Sequence, residues 1–135
     1  MLSKKTKYGL KALAYLARHQ EEGLVSINDI ATCEKISRKF LESILLTLKK
    51  AGFLNAKKGK GGGYYLIKPA TEIKIVDIYR ILEGPVALLP CVSLNYYEEC
   101  KDCADEKSCG LNKLMIEVRD NTLKIFRKHT LQDLV

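Results

Sequence analysis

Cys91, Cys100, Cys103 and Cys109 fall in one stretch, with eight, two and five residues between neighbours. A single loop can bring four such thiolates around one site, and soft sulfur ligands suit zinc or an iron-sulfur cluster equally well. Cys100-Lys101-Asp102-Cys103 lacks the strand-to-helix setting that a thioredoxin-like motif requires, although reversible disulfide sensing stays open to these thiols. Cys33 stands apart and is expected to be buried as a small hydrophobe. The two histidines, His19 and His129, lie at helix ends with no nucleophile or metal motif beside them, so no enzyme activity is expected.

A second set of residues points to a polyanion. Residues 1–70 carry 14 Lys or Arg against 5 Asp or Glu, whereas residues 71–135 carry 9 against 11. A field that is basic in one half only selects a partner instead of merely aiding solubility. Ser37, Arg38, Lys39, Glu42 and Ser43 open a helix whose first exposed positions can reach base edges: Arg38 offers guanine a bidentate donor pair, and Glu42 accepts from cytosine. Lys57, Lys58 and Lys60, with Gly61 and Gly62, form a basic hairpin tip suited to phosphate contact or the minor groove. Double-stranded DNA is the expected partner. Gly59, Gly61 and Gly63 do not match a dinucleotide or P-loop fingerprint, because the spacing differs and a strand follows.

Several elements must position these groups. Tyr8, Leu10, Leu13, Ala14 and Ala17 recur at helical spacing after Ser3. Ser26 and Asp29 resemble a capping box opening a second helix of about eight residues. Ser37 caps a third helix through Lys50, and the two are joined by a turn over Cys33 to Ile36. Phe53–Lys57 and Tyr64–Ile67 read as strands flanking the glycine run. Ile75, Ile78, Tyr79 and Leu82 mark a fourth helix that stops at Gly84-Pro85. Leu111, Met115, Val118, Thr122 and Ile125 follow steps of four and three, the seam of a helix that pairs with a second copy.

The expected fold is mainly α with a small β-hairpin: a winged helix-turn-helix domain over residues 1–85, a cysteine-rich loop over 86–110, and a dimerisation helix with its tail over 111–135. Between Pro90 and Gly110 lie four of the five cysteines and five acidic residues with little apolar periodicity, a loop that needs something to order it. No apolar run approaches the roughly 20 residues that span a bilayer, and no signal-peptide pattern opens the chain. Cysteines in such a setting point to the reducing cytoplasm.

Thr6-Lys7-Tyr8-Gly9-Leu10, Lys58-Gly59-Lys60-Gly61-Gly62-Gly63-Tyr64, Lys68-Pro69-Ala70 and the cysteine loop together resemble the winged-helix regulator family that includes IscR and NsrR, over nearly the whole chain. The resemblance implies a homodimer on a roughly palindromic operator. It also implies an iron-sulfur cluster, 2Fe-2S or 4Fe-4S, that senses redox, nitric oxide or iron-sulfur status. By position Cys91, Cys103 and Cys109 look like the family's three cluster cysteines. IscR-like members add a histidine three residues beyond the last cysteine, where this chain has Asn112. NsrR-like members use an acidic residue near the start, where this chain has Lys7. Cys100 is therefore the candidate fourth ligand. A clusterless or zinc-bound regulator that uses its cysteines structurally or as a thiol-disulfide sensor is the alternative.

Overall fold

A computed structural model describes residues 1–135. Its principal elements are α1 (Lys4–Arg18), α2 (Ile27–Glu34), α3 (Arg38–Lys50), β1 (Leu54–Lys57), β2 (Gly63–Leu66), α4 (Ile75–Leu82) and α5 (Gly110–Lys128). This is the winged-helix architecture that the periodicities imply. No helix is long and apolar enough to cross a membrane.

Serines start the first three helices. The hydroxyls of Ser3, Ser26 and Ser37 accept from the backbone N–H groups of Thr6, Asp29 and Phe40 at 3.1, 3.1 and 3.3 Å. Each thereby satisfies a donor that the first helical turn leaves open. The helix-turn-helix corner falls later than its sequence suggests, because α2 continues through Cys33 and Glu34 before Lys35 adopts a left-handed conformation at φ 54° and ψ 47°. A side chain in that region costs about 1–2 kcal/mol, and burial of Ile36 in the core holds the corner in place. Cys33 is exposed, not buried. Ile27, Ile30 and Ala31 make the core-facing side of α2, and Cys33 falls beyond its edge.

The main core joins Leu13 and Leu16 of α1, Ile30, four side chains of α3 (Leu41, Ile44, Leu45, Leu48), Leu54 of β1 and Ile78 of α4. It also takes Leu131 from beyond α5. The chain returns to it through backbone hydrogen bonds from Leu131 N to Ile73 O at 2.8 Å and from Ile75 N to His129 O at 3.1 Å. One side of α5 lies on α4: Leu123 packs with Val76 and Val86, and the Phe126 and Tyr79 rings stand 4.9 Å apart. The adjoining side leaves Leu111, Leu114 and Ile125 more than half exposed. Of the anticipated seam, Leu111 and Ile125 are exposed, whereas Met115, Val118 and Thr122 are half-buried within the single chain.

The join between α1 and α4 has two parts. Gly9 lets the helices approach so closely that a Cβ there would stand 2.3 Å from Leu82 Cδ1. The Glu83 carboxylate then reaches the first turn of α1, accepting from Ser3 Oγ at 2.6 Å, from Ser3 N at 3.2 Å and from the Thr6 hydroxyl. That turn holds Lys4 and Lys5 and no acidic residue, so Glu83 supplies the negative charge that a helix N-terminus favours. The hydrogen bonds from Ser3 and Thr6 hold the Glu83 carboxyl below its ordinary range. A depressed carboxyl stabilises the fold above its unfolded pKa, and that contribution is lost as pH falls through the folded value. Glu83→Gln should therefore lower the urea midpoint at pH 7 by the equivalent of about 1–2 kcal/mol. The gap from the parent should shrink as pH drops below about 4.3; a constant gap down to pH 3 would exclude the charged form as the stabilising species.

Candidate functional site

The N-terminal half of α3 turns Leu41, Ile44 and Leu45 inward and presents Ser37, Arg38, Lys39, Glu42 and Ser43 to solvent. Arg38 and Glu42 pair across one turn at 3.3 Å, both more than half exposed. The Ser43 hydroxyl donates to Phe40 O at 2.8 Å, so one of its hydrogen-bonding capacities is taken by its own helix. Arg38, Glu42, Lys57, Lys58 and Gly62 line one groove of about 610 Å³ between α3 and the hairpin. Ser37, Lys39, Ser43, Lys60 and Gly61 lie outside its lining. Ser26, Asn28, Leu46, Lys49 and Tyr64 also line it and were not anticipated. Leu46 and Lys49 follow Arg38 and Glu42 along one helical face, so the periodicity of α3 held the signal for both.

The hairpin pairs Leu54 with Leu66 through Lys57 with Gly63. Val25 adds a third, one-residue strand by exchanging hydrogen bonds with Tyr64 at 3.0 and 2.8 Å. This close backbone approach explains Gly63, where a Cβ would lie 2.5 Å from Val25 O. At the tip, Gly61 has φ +77°, a conformation that L side chains rarely adopt. Lys57, Lys58 and Lys60 are exposed around it.

Cys91, Cys100, Cys103 and Cys109 are half-buried free thiols lining one cavity of about 520 Å³. The loop is pinned where it starts: Val92 is 2% exposed, and its carbonyl accepts from Arg119 Nη1 of α5 at 2.8 Å. Across the cavity, Glu106 accepts from Cys100 N and from the Tyr97 hydroxyl, both at 2.8 Å. Cys109 caps α5, its sulfur accepting from Asn112 N at 3.4 Å, while Asn112 Nδ2 donates to Cys91 Sγ at 3.5 Å.

Hydrogen bonds with Cys100 and then Cys109 push the Cys103 thiol up to about 12. The Asn112 N–H, assisted by Cys103, lowers that of Cys109. No three His, Cys, Asp or Glu side chains yet stand in an arrangement that fits a single metal ion. The thiols surround a cavity instead of converging on a point. Glu106 and Arg119 carry no sequence signal of this role, since each acts across a fold that spacing does not show.

A three-helix core with a basic wing defines a winged-helix DNA-binding protein, with a cysteine-lined chamber appended through α5. The profile of the Rrf2 family, described as an iron-dependent transcriptional regulator, matches residues 2–135. The chain is 39% identical over 138 residues to a Rhodobacter capsulatus protein named as an rrf2-like HTH-type transcriptional regulator, covering 100% of this chain and 92% of that one. Among solved structures it is similar to CymR, the global cysteine regulator of B. subtilis, with a TM-score of 0.81 and 31% identity over 99% of this chain and 95% of that one. It is also similar to T. potens IscR, with a TM-score of 0.78 and 28% identity over 99% and 85%. This chain belongs to the Rrf2 family: it is a DNA-binding transcriptional regulator and not an enzyme.

The packing of Val25 against the wing makes Gly63 sensitive to the smallest side chain. Gly63→Ala should cost about 1–3 kcal/mol, the range for overpacking a tight contact. Urea unfolding measures it, and an unchanged midpoint would show that β2 shifts freely away from Val25.

Proposed function

We propose that this regulator is a homodimer that reads a specific operator through α3 and the wing, and whose Cys91, Cys100, Cys103 and Cys109 hold an iron-sulfur cluster that reports redox, nitric oxide or iron-sulfur status. The observation that carries the reading is the gathering of four thiols around one chamber at the start of α5, a helix that leaves Leu111 and Ile125 exposed. The donor set fits the group, being four thiols spread around one cavity, the ligand type and number that hold either a 2Fe-2S or a 4Fe-4S cluster. When bound, the cluster supplies a redox- and ligand-sensitive centre. Cys100 is the fourth ligand in this reading, because Lys7 lines a different groove with Leu2, Leu10 and Leu134.

The chain's own residues then define the switch. Val92, held by Arg119, and Cys109, the cap of α5, are the two ends of the loop, so fixing the thiols fixes α5 against the loop. Pairing of two copies through Leu111, Met115, Val118 and Ile125 sets the distance between two α3 helices and hence the half-site spacing. The cluster must stabilise one dimer geometry more than another, because only differential affinity shifts a population.

A zinc-bound or clusterless thiol sensor is the second reading. It is favoured by the four thiols standing free around the chamber and by the similarity to CymR.

Protein purified without oxygen should be brown, with matching iron and sulfide. Colourless protein with one zinc per chain would replace the cluster by the second reading. Cys100→Ala should lose or strongly destabilise the cluster, and full retention would remove Cys100 from the ligand set. On an operator selected from random duplexes, Arg38→Ala should weaken binding by about 1–3 kcal/mol and relax base preference at one position. Lys58→Ala should weaken all duplexes alike and reduce the salt slope by about 1. Equal losses on selected and random DNA for Arg38→Ala would exclude it from base reading.

A further inference from the structure

Asn112 stands three residues after Cys109 and is only 9% exposed. Two N–H groups of this one residue point at sulfur. The backbone N–H meets Cys109 Sγ at 3.4 Å, and the side-chain Nδ2 meets Cys91 Sγ at 3.5 Å. The first contact is the cap of α5, which any residue except proline would keep. The second requires the amide, and it connects the first cysteine of the loop to the helix that ends it.

We propose that Asn112 is a positioning residue for the sulfur site: it binds no metal, and its side-chain amide donates an N–H···S hydrogen bond that places Cys91 and withdraws electron density from that ligand. An amide oxygen is a hard, neutral donor and a poor match to the soft metals that four thiolates select. Its nitrogen carries two donors and a thiolate is an acceptor, so the arrangement uses the amide in the sense its chemistry allows. Hydrogen bonds to ligand sulfur are among the factors that set cluster potential, and the groups behind the ligands tune a metal as well as orient its donors. A donor on Cys91 stabilises the extra negative charge of the reduced state and so raises the potential. It also weakens sulfur donation and moves charge-transfer bands to higher energy.

The redox consequence rests on the cluster reading, whereas the hydrogen bond does not, and the test separates the two. Asn112→Leu, close in volume and without a donor, is compared with Asn112→Ala and with Asn112→Gln, which keeps an amide. Full-length proteins are prepared without oxygen, and folding is checked by circular dichroism. In the Leu and Ala variants iron and sulfide should match the parent while the sulfur-to-iron bands move to longer wavelength. Poised at the parent's midpoint, their reduced-to-oxidised ratio should fall about tenfold, equivalent to about 59 mV for one electron. Asn112→Gln should recover part of both changes. Parent-like bands and ratio in folded Leu and Ala variants would overturn the inference and leave the cluster intact. Loss of all metal in every variant, Gln included, would overturn it in favour of direct ligation or a purely structural role. If the parent carries zinc, the cluster reading falls and Co²⁺ becomes the probe: a red-shifted sulfur-to-cobalt band in Asn112→Leu supports the hydrogen bond, and an unshifted one overturns it.

Discussion

The cysteine chamber depends on the return of the chain into the winged-helix core at Leu131. Reduced thiols have little tendency to gather, and a loop rich in acidic residues repels itself. What brings its cysteines together is that both ends of the loop are fixed to one body. Val86 and Val92 hold the beginning beneath α5. At the far end Leu123, Phe126 and Leu131 hold α5 and its tail to α4 and the main core. Removing the Leu131 anchor would free the end of α5, and the loop would lose the geometry that lets Asn112 face Cys91.

The same anchors join the chamber to the DNA-reading surface. The tail packs on α1 as well as on the segment before α4, and α1 packs on α3. A shift of α5 therefore meets no flexible linker on its way to the recognition helix. Glu83 and Gly9 tighten the intermediate step, since α1 and α4 move as one unit while the carboxylate holds Ser3 and Thr6. Rigid coupling of this kind transmits a change only where the interface has two discrete arrangements. In the proposed dimer, the exposed side of α5 is where two such arrangements would differ.

Helix starts were legible because serine capping is local: Ser3, Ser26 and Ser37 each act on the third residue beyond them. The wing was legible because Gly59 and Gly61 answer to a local need, positive φ at the hairpin tip, whereas Gly63 answers to the distant Val25. The corner after α2 was placed too early, since Lys35 takes a left-handed conformation that residue type does not announce. The chemistry of Cys33 suits a core position, but burial depends on which face of a short helix meets its neighbours, and Cys33 is exposed. In the chamber the cysteines were visible from their density. Glu106, Arg119 and the side-chain contact of Asn112 were not, because their partners lie 6 to 27 positions away and are set by tertiary packing.

On the proposed DNA-reading surface, the Arg38–Glu42 pair is the feature that would give a basic groove selectivity. An exposed ion pair of this kind contributes about 0–1 kcal/mol, so giving it up on DNA costs little. A bidentate arginine contact with the right base is worth about 1–3 kcal/mol of discrimination, enough to favour the exchange at a matching step. At a mismatched step Arg38 gains no second partner and stays with Glu42. The pair then adds no attraction of its own to a groove that Lys49 and the lysines of the wing line. Lysines alone would bind any duplex. In the proposed reading, the single acid of α3 opposes phosphate and is relieved where a base edge can accept from Arg38 or donate to Glu42, which would turn charge attraction into sequence recognition.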